Sequence, residues 1–208
     1  MKVLIQENLI SRPRGISLVV ALLMTLVILI LSMSLANLAL QNEKASRTDR
    51  DRQVAFMAAE AALKDAEMDI DSQAVLPGSR SYLFDSASQL YFETGCAKGN
   101  GNIYQGMCLP SPPGQIPVWL SIDLADDSDD ASLVKLGRFT GQTMAIGKGI
   151  FPAKLPKYLI EVVQDVEAGQ SADERTKYIF RITAIGFGSD SKTQVVLQTY
   201  YRKAPKSA

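Results

Sequence analysis

The chain contains no histidine, and its 208 residues include only two cysteines and one tryptophan. The absence of histidine excludes Ser-His-Asp and Cys-His nucleophile systems, together with every metal site that needs a histidine ligand. Two cysteines cannot form a four-cysteine zinc site, and the separation of Cys96 from Cys108 is not that of a CxxC redox motif. Composition therefore gives no support to an enzyme of these common kinds.

An excess of charge of either sign is also lacking. Lysine and arginine number 22, and aspartate and glutamate number 22, so the formal net charge is zero. A nucleic-acid-binding chain needs a basic field that neutralises phosphates. The sequence thus predicts no nucleic-acid partner.

Cofactor loops are missing as well. The stretch GQTMAIGKG, residues 141–149, has five residues between its first two glycines, and Gly149 follows Lys148. A phosphate-binding loop needs four residues there and a Ser or Thr after the lysine. We predict no cofactor and no enzymatic activity.

One acidic segment is a candidate site for a metal ion. DLADDSDD, residues 123–130, has five aspartates, and calcium takes six to eight oxygen ligands. The order of an EF-hand is absent, since no glycine follows and no glutamate closes the loop. A solvated acidic loop is the favoured interpretation and a calcium site the alternative, with these candidate ligands: Asp123, Asp126, Asp127, Asp129 and Asp130.

A long uncharged run is the strongest feature that is present. No charged residue occurs from Ile16 to Asn42, whereas the apolar region of a secretion signal has roughly 7–15 residues. A helix that crosses a bilayer needs about 20 apolar residues, so the run predicts a membrane span that is retained. Basic residues before and after the run are similar in number (Lys2, Arg12 and Arg14 precede it), so the charge count alone leaves the orientation ambiguous.

The two cysteines settle the expected orientation. Cys96 and Cys108 flank a segment rich in Gly and Asn, and in an oxidising compartment such a pair predicts a disulfide across a short loop. The alternative is two unrelated free thiols. Together with the short basic tail, the disulfide predicts a cytoplasmic N-terminus, a single membrane pass and an exported C-terminal domain.

Helical character continues beyond the span. Residues 51–70 have no Gly or Pro and are rich in strong helix formers, while Pro77 and Gly78 mark the end of the helical region. Apolar residues recur at steps of three and four, which predicts one packing face along the helix. The predicted face consists of Phe56, Ala59, Leu63, Ala66 and Ile70.

Strand patterns dominate the C-terminal part. Residues 157–166, 177–188 and 193–203 alternate and are rich in Val, Ile, Tyr and Thr, and 188–192 has the composition of a hairpin loop. They predict an antiparallel meander, with an added strand at 117–124 and one face lying on the amphipathic helix. Shorter strands are plausible at 82–84 and 90–93. The fold class is therefore α+β.

Three stretches resemble one known family in order. They are RPRGISLVVALLMTLVILIL from residue 12, DRDRQVAFMAAEAALKDAE from residue 49, and YIFRITAIGFGSDSKTQVVLQTYYRK from residue 178. A basic tail that ends in Gly15 before an uncut apolar helix looks like a type IV prepilin. The three stretches together resemble the minor pilins of the PilX group.

The resemblance implies a specific organisation. A membrane-embedded prepilin peptidase would cut between Gly15 and Ile16 and leave the span as a mature, methylated N-terminus. The implied parts are a leader (1–15), a transmembrane half (16–42) and an amphipathic half (43–72) of one helix, and a periplasmic β-rich domain (73–208). The resemblance also implies that the membrane crossed is the inner membrane.

The resemblance further implies a low-abundance subunit that helps to initiate pilus assembly, sits at the tip and supports twitching motility and adhesion. Implied partners are the major pilin, other minor pilins and a tip adhesin. Two positions depart from the common pattern: Ile16 replaces the usual Phe, and Val20 stands where most pilins carry Glu. A minor pseudopilin of a type II secretion system and a signal-anchored periplasmic binding domain, with or without calcium, are the alternatives.

Overall fold

The computed structural model describes residues 16–71, 78–85, 89–147, 149–165 and 177–204. The leader predicted at 1–15 lies outside the described residues. In chain order the elements are helix α1 (Ile16–Asp71), a 3₁₀ turn (Ser81–Phe84), strand β1 (Met107–Cys108), helix α2 (Val118–Ser121), and strands β2 (Val134–Lys135), β3 (Lys157–Asp165), β4 (Lys177–Phe187) and β5 (Gln194–Tyr201).

The chain divides into two units, Met1–Thr48 and Asp49–Ala208, with the boundary inside α1. In the first unit every described residue is exposed. This part of α1 contains the stretch that is long and apolar enough to cross a membrane, and none of that stretch is buried within the protein. Exposed Leu, Ile, Val and Met side chains are what a lipid-facing helix presents.

In the second unit, α1 buries a narrow face made mainly of alanine. Strong helix formers without Gly or Pro explain why the helix continues to Asp71. Small side chains allow another backbone to approach the helix closely. The buried residues of this face are Ala55, Ala58, Ala59, Ala62, Asp65, Ala66, Asp69 and Ile70.

The predicted meander is present. Strand β3 pairs antiparallel with β4, and β4 with β5, in the strand order β1-β3-β4-β5. The loop between β4 and β5 closes with the Gly188 N–H donating to the Thr193 carbonyl at 2.8 Å. The long α1 helix and this sheet give the α+β, pilin-like arrangement expected from the sequence.

The added strand lies elsewhere than predicted. Residues 118–121 form helix α2, because Pro117 starts a helical turn in which the N–H groups of Leu120 and Ser121 donate to its carbonyl. The edge of β3 that faces away from β4 instead pairs with β1 in parallel and with β2 in antiparallel orientation. The sheet is therefore mixed.

The two other short strands are also absent as such. Residues 82–84 belong to the 3₁₀ turn, whose Leu83 N–H donates to the Arg80 carbonyl. In 90–93 only Glu93 makes a single bridge, to Cys108.

Two cores cover the two faces of the sheet. The face on the α1 side includes Ala62, Ala66, Ile160, Ile182 and Ala184. The opposite core contains the side chains Cys96, Cys108, Val118, Leu133, Leu159, Ile185 and Phe187. Because side chains alternate along a strand, β3 and β4 contribute residues to both cores.

Candidate functional site

The apolar part of α1 is one candidate surface for assembly. Three of its hydroxyl groups are hydrogen-bonded within the helix: Thr25 Oγ1 donates to the Leu22 carbonyl at 2.9 Å, and Ser32 and Ser34 donate to carbonyls four residues earlier. A hydroxyl bonded in this way places no unsatisfied donor in hydrocarbon. Val20 belongs to this exposed apolar surface, so no carboxylate is present at that position.

The start of the helix bears on processing. Ile16, the residue after the predicted cut, is helical in α1. Gly15 lies outside the described residues, so the pair Gly15–Ile16 remains a predicted cleavage site.

A second surface lies on α1 within the Asp49–Ala208 unit. Phe56 and Met57 are 44% and 66% exposed and lie beside Asp49, Arg52 and Gln53 in a shallow groove. The prediction that Phe56 belongs to the packing face is therefore wrong. The helix turns its alanines, which admit close contact, toward the sheet and leaves the bulky ring outside.

The other predicted face residues lie where the periodicity places them. Ala59, Ala66 and Ile70 are buried, and Leu63 is half-buried against the α1-side core. What the pattern did not indicate is the share of alanine: Ala55, Ala58 and Ala62 complete the contact.

The closest helix–sheet approach occurs at Gly186 of β4. A Cβ added there would fall on the Ala55 carbonyl oxygen and the Ala59 backbone nitrogen. Only hydrogen fits between the two backbones, so this glycine sets the distance between α1 and the sheet.

The β4–β5 turn is attached to the same helix by Asp51. Its carboxylate accepts the N–H groups of Ser189 at 2.5 Å and Asp190 at 3.2 Å. Partial burial alone would raise the pKa of Asp51, but hydrogen bonds from the side chain of Thr193 and from these backbone groups hold it below the ordinary value. The ionised carboxylate therefore fixes the hairpin.

Two buried aspartates, Asp65 and Asp69, lie one turn apart on α1, and neither was predicted from the sequence pattern. Asp69 binds Arg80 through both carboxylate oxygens, the shortest distance being 2.7 Å to Nη2, and both side chains are fully buried. Arg80 also donates to the carbonyls of Ile103 and Gln105, and its guanidinium stacks 3.8 Å from the centre of the Phe139 ring. This cluster connects α1 to the loops after it.

Tyr158 of β3 completes the cluster. Its hydroxyl donates to Asp69 at 2.9 Å, and burial together with the nearby Asp69 charge raises the pKa of Tyr158 well above its ordinary value. The tyrosine thus keeps its proton and remains a donor. The sequence signal that could have revealed the cluster is the presence of two acids, at 65 and 69, in line with the alanine face.

Asp65 has different partners. It accepts the Gly137 N–H at 2.8 Å and a short hydrogen bond from Thr140. Burial raises the pKa of Asp65 above its ordinary value, although these two hydrogen bonds act in the opposite direction.

The disulfide is present between Cys96 and Cys108. Cys108 belongs to β1, and the bond lies in the core on the side of the sheet opposite α1. It ties the Gly- and Asn-rich loop to the sheet, as the loop composition predicted.

The acidic loop is organised by lysine. Lys157, which is almost fully buried, donates to the carbonyl of Asp126 at 2.6 Å and contacts the Asp127 carboxylate at 2.6 Å. Lys154 pairs with the other Asp127 oxygen. Burial acts to raise the pKa of Asp127, but both ammonium groups hold it below its ordinary value.

The remaining aspartates do not converge. Asp123 and Asp126 accept hydrogen bonds from nearby backbone, and Asp129 and Asp130 are exposed. Among the residues that the structure describes, no group of three or more acidic or cysteine side chains is placed to hold a metal ion. The acidic loop is thus held by two lysines at Asp127, and the calcium alternative stays a prediction.

Family models provide the comparison with known proteins. The model described as type IV pilus assembly protein PilX C-term matches residues 96–203, more than half of the chain, and the model described as PilX N-terminal matches residues 14–64. No curated protein and no solved structure gives a significant match. The two models cover the apolar helix, the first four alanines of its buried face, the disulfide and the meander, and the chain therefore belongs to the PilX family of type IV pilus assembly proteins.

Proposed function

We propose that this chain is a minor pilin that helps to initiate the type IV pilus and takes a leading position at its tip, thereby supporting twitching motility and adhesion. Membership of a pilus assembly family implies interaction with other pilins and fits a membrane-anchored component. Cleavage by prepilin peptidase, a cytoplasmic N-terminus and a tip adhesin as partner belong to the proposal.

The observation that carries the tip position is the valine at position 20 on an uncharged helix. In pilins, a glutamate at this place is thought to pair with the N-terminal amine of the subunit ahead. A carboxylate without such a partner would cost several kcal/mol in lipid. A subunit that enters first has no amine ahead of it, and Val20 avoids the orphan charge. Its own amine at Ile16 remains available to the next subunit.

A deletion strain tests the general function. If the chain initiates assembly, surface pili counted by electron microscopy should fall strongly and return on complementation. Undiminished pili would contradict the proposal. Loss of type II secretion with normal pili would favour the pseudopilin alternative, and neither defect would favour a signal-anchored binding domain.

Immunogold labelling of sheared pili tests the position. We expect label at filament ends in the wild type, and label scattered along filaments, or poor assembly, for Val20→Glu. Val19→Glu, which places the same charge one residue away, is the matched control. Label distributed evenly along wild-type shafts would contradict the tip assignment.

Intact-mass analysis tests processing. Membrane-extracted protein should begin at Ile16, whereas Gly15→Val should retain the leader, since a β-branched side chain crowds a site that accepts hydrogen. A full-length wild-type chain in cells with active prepilin peptidase would contradict this step.

A further inference from the structure

Strand β5 is an edge of the sheet. It pairs with β4 through eight consecutive residue pairs, from Phe187↔Gln194 to Phe180↔Tyr201, and the ladder has no interruption. Within the part of the chain that the structure describes, no strand lies on its other side. An unbroken strand of this length presents a regular row of backbone donors and acceptors.

The direction of each group follows from the turn. Because the Gly188 N–H donates to Thr193, residues 193, 195, 197, 199 and 201 direct their backbone groups toward β4. The alternate residues, Gln194, Val196, Gln198 and Tyr200, direct theirs away from the sheet. Only an extended polypeptide matches four donor–acceptor sets at this spacing.

The edge lacks the usual protection against pairing. Natural sheets place charges, proline or bulges on exposed edges, and 194–201 contains none of them. On the face opposite α1, Val196 and Tyr200 are 44% and 57% exposed, so an added strand would also gain apolar cover.

The charged residues that flank β5 indicate which partner strand it favours. Exposed Lys192 precedes β5, and Arg202 follows it. Full antiparallel pairing with a second copy would put Lys192 beside the other copy's Arg202, whose charge Asp165 already matches, so that end gives Lys192 no net negative charge. Parallel pairing would put lysine beside lysine. Like charges directly opposite each other destabilise a strand pair. At its own end Arg202 already binds Asp165, so the partner's negative charge is needed at the Lys192 end.

We propose that the free edge of β5, residues 194–201, accepts a β-strand from a different protein of the pilus, uncharged along its middle and acidic where it meets Lys192. This inference rests on the proposed function, since the partner is taken to be another assembly component. The added strand would extend the sheet and join two subunits through backbone hydrogen bonds.

The test removes one outward N–H. In Val196→Pro the lost donor faces away from β4, so the internal ladder keeps its bonds, and proline is tolerated on edge strands. Val196→Thr keeps the N–H and the β-branched shape and is the matched control. We expect about ten-fold fewer surface pili for Val196→Pro, corresponding to one lost hydrogen bond with an unsatisfied partner, and wild-type numbers for Val196→Thr. Lys192→Glu should reduce pili by a smaller factor.

Folding is checked on the full chain in detergent by its Trp119 fluorescence during urea unfolding. Hydrogen exchange gives a second measurement that does not depend on the proline variant. Amides of Val196 and Gln198 should exchange rapidly in the isolated protein and slowly in the complex extracted with its partner pilins. Equal exchange in both samples, or wild-type piliation by folded Val196→Pro, would overturn the proposal.

The outcomes separate the two hypotheses. If deletion abolishes pili but Val196→Pro does not, the edge pairing is wrong and the proposed function stands. If deletion leaves pili intact, the proposed function fails, and the pilus partner fails with it. A dimer of the isolated chain by analytical ultracentrifugation, dissociated by Val196→Pro, would identify a second copy as the occupant and overturn the choice of a different protein.

Discussion

The two faces of the sheet are covered in contrasting ways. On one face, α1 places a row of alanines against β4 and approaches so closely that Gly186 has no room for a side chain. On the other face, irregular segments around the Cys96–Cys108 disulfide cover β3 and β4 and leave the outer side chains of β5 exposed. The helix combines close backbone contact with buried aspartates that bind the rest of the domain, whereas the irregular layer is crosslinked by a disulfide.

The largest expected effect comes from breaking the shape fit on the α1 side. Gly186→Val would direct a branched side chain into the backbone of α1 at Ala55 and Ala59, so helix and sheet must separate. We expect a loss of more than about 5 kcal/mol, beyond the stability of many domains, and hence no folded protein. Urea unfolding followed by Trp119 fluorescence is the measurement.

Gly101→Val is the matched control, because a Cβ at Gly101 meets no atom within 4 Å. It should unfold like the wild type. A cooperative transition for Gly186→Val at the wild-type midpoint would show that the helix–sheet contact can accommodate a side chain at position 186.

The second effect concerns the charged end of the same face. Asp69→Asn keeps the size of the side chain but leaves Arg80 buried without its counter-charge. Removing one partner of a fully buried ion pair typically costs 3–5 kcal/mol, so we expect a loss of about 4 kcal/mol in the same unfolding experiment.

Glu60→Gln, an exposed position on α1, controls for the loss of a carboxylate. Replacing Asp69 and Arg80 together with apolar residues should cost less than Asp69→Asn alone. Equal losses would indicate that the pair acts through packing, without a role for its charges.

The third effect breaks the covalent fastening of the opposite face. Replacing Cys96 and Cys108 by serine removes a crosslink with a sequence separation of 12. On the chain-entropy model the loss is about 3 kcal/mol. Hydrogen exchange should increase in the loops on that face, while amides of β4 near Ala184 remain protected.

A uniform increase in exchange across both faces would mean that the two layers unfold as one unit. Reduction of the wild-type disulfide under native conditions provides the control, since it removes the bond without changing the sequence.

The same contrast explains which parts of the structure the sequence predicted. Helix α1 and the strands β3 to β5 follow from periodicity, because each repeats one environment along its length. The covering layer has no period: α2 begins because of Pro117, and β1 and β2 are two-residue strands fixed only by pairing with β3. Such elements depend on tertiary contacts that a local pattern does not contain.

The candidate site residues divide along the same line. Gly15, Ile16 and Val20 lie in one contiguous segment and were predicted from a resemblance, whereas Asp69 and Arg80 meet across the end of a helix and a turn. Phe56 shows the limit of periodicity, since a helical step alone does not distinguish a buried apolar residue from one on the helix flank. The acidic loop shows the limit of composition: five aspartates did not indicate that Lys157 contacts Asp127 and the Asp126 carbonyl.

The smallest expected effect separates the two buried aspartates. Asp65 has no described cationic partner at hydrogen-bond distance, and its hydrogen bonds come from Gly137 and Thr140. In Asp65→Asn the amide oxygen can still accept the Gly137 N–H, and the amide nitrogen can donate to the Thr140 hydroxyl. We therefore expect a change within about 1 kcal/mol at neutral pH, in contrast to Asp69→Asn.

The stability difference between wild type and Asp65→Asn should depend on pH. Burial raises the folded-state pKa of Asp65 above its unfolded value, so protonation is favoured by folding. The associated stability is fully present below the unfolded pKa and is lost as pH rises through the folded pKa. The free energy of unfolding of Asp65→Asn should thus fall furthest below that of the wild type in acid, and the gap should narrow as pH rises toward neutrality.

Urea midpoints at several pH values measure this difference, and Asp51→Asn is the opposite control. The pKa of Asp51 is lowered, so its contribution to stability is present above the unfolded pKa and disappears as pH falls. A difference between wild type and Asp65→Asn that does not vary with pH would mean that folding leaves the pKa of Asp65 unchanged despite its burial.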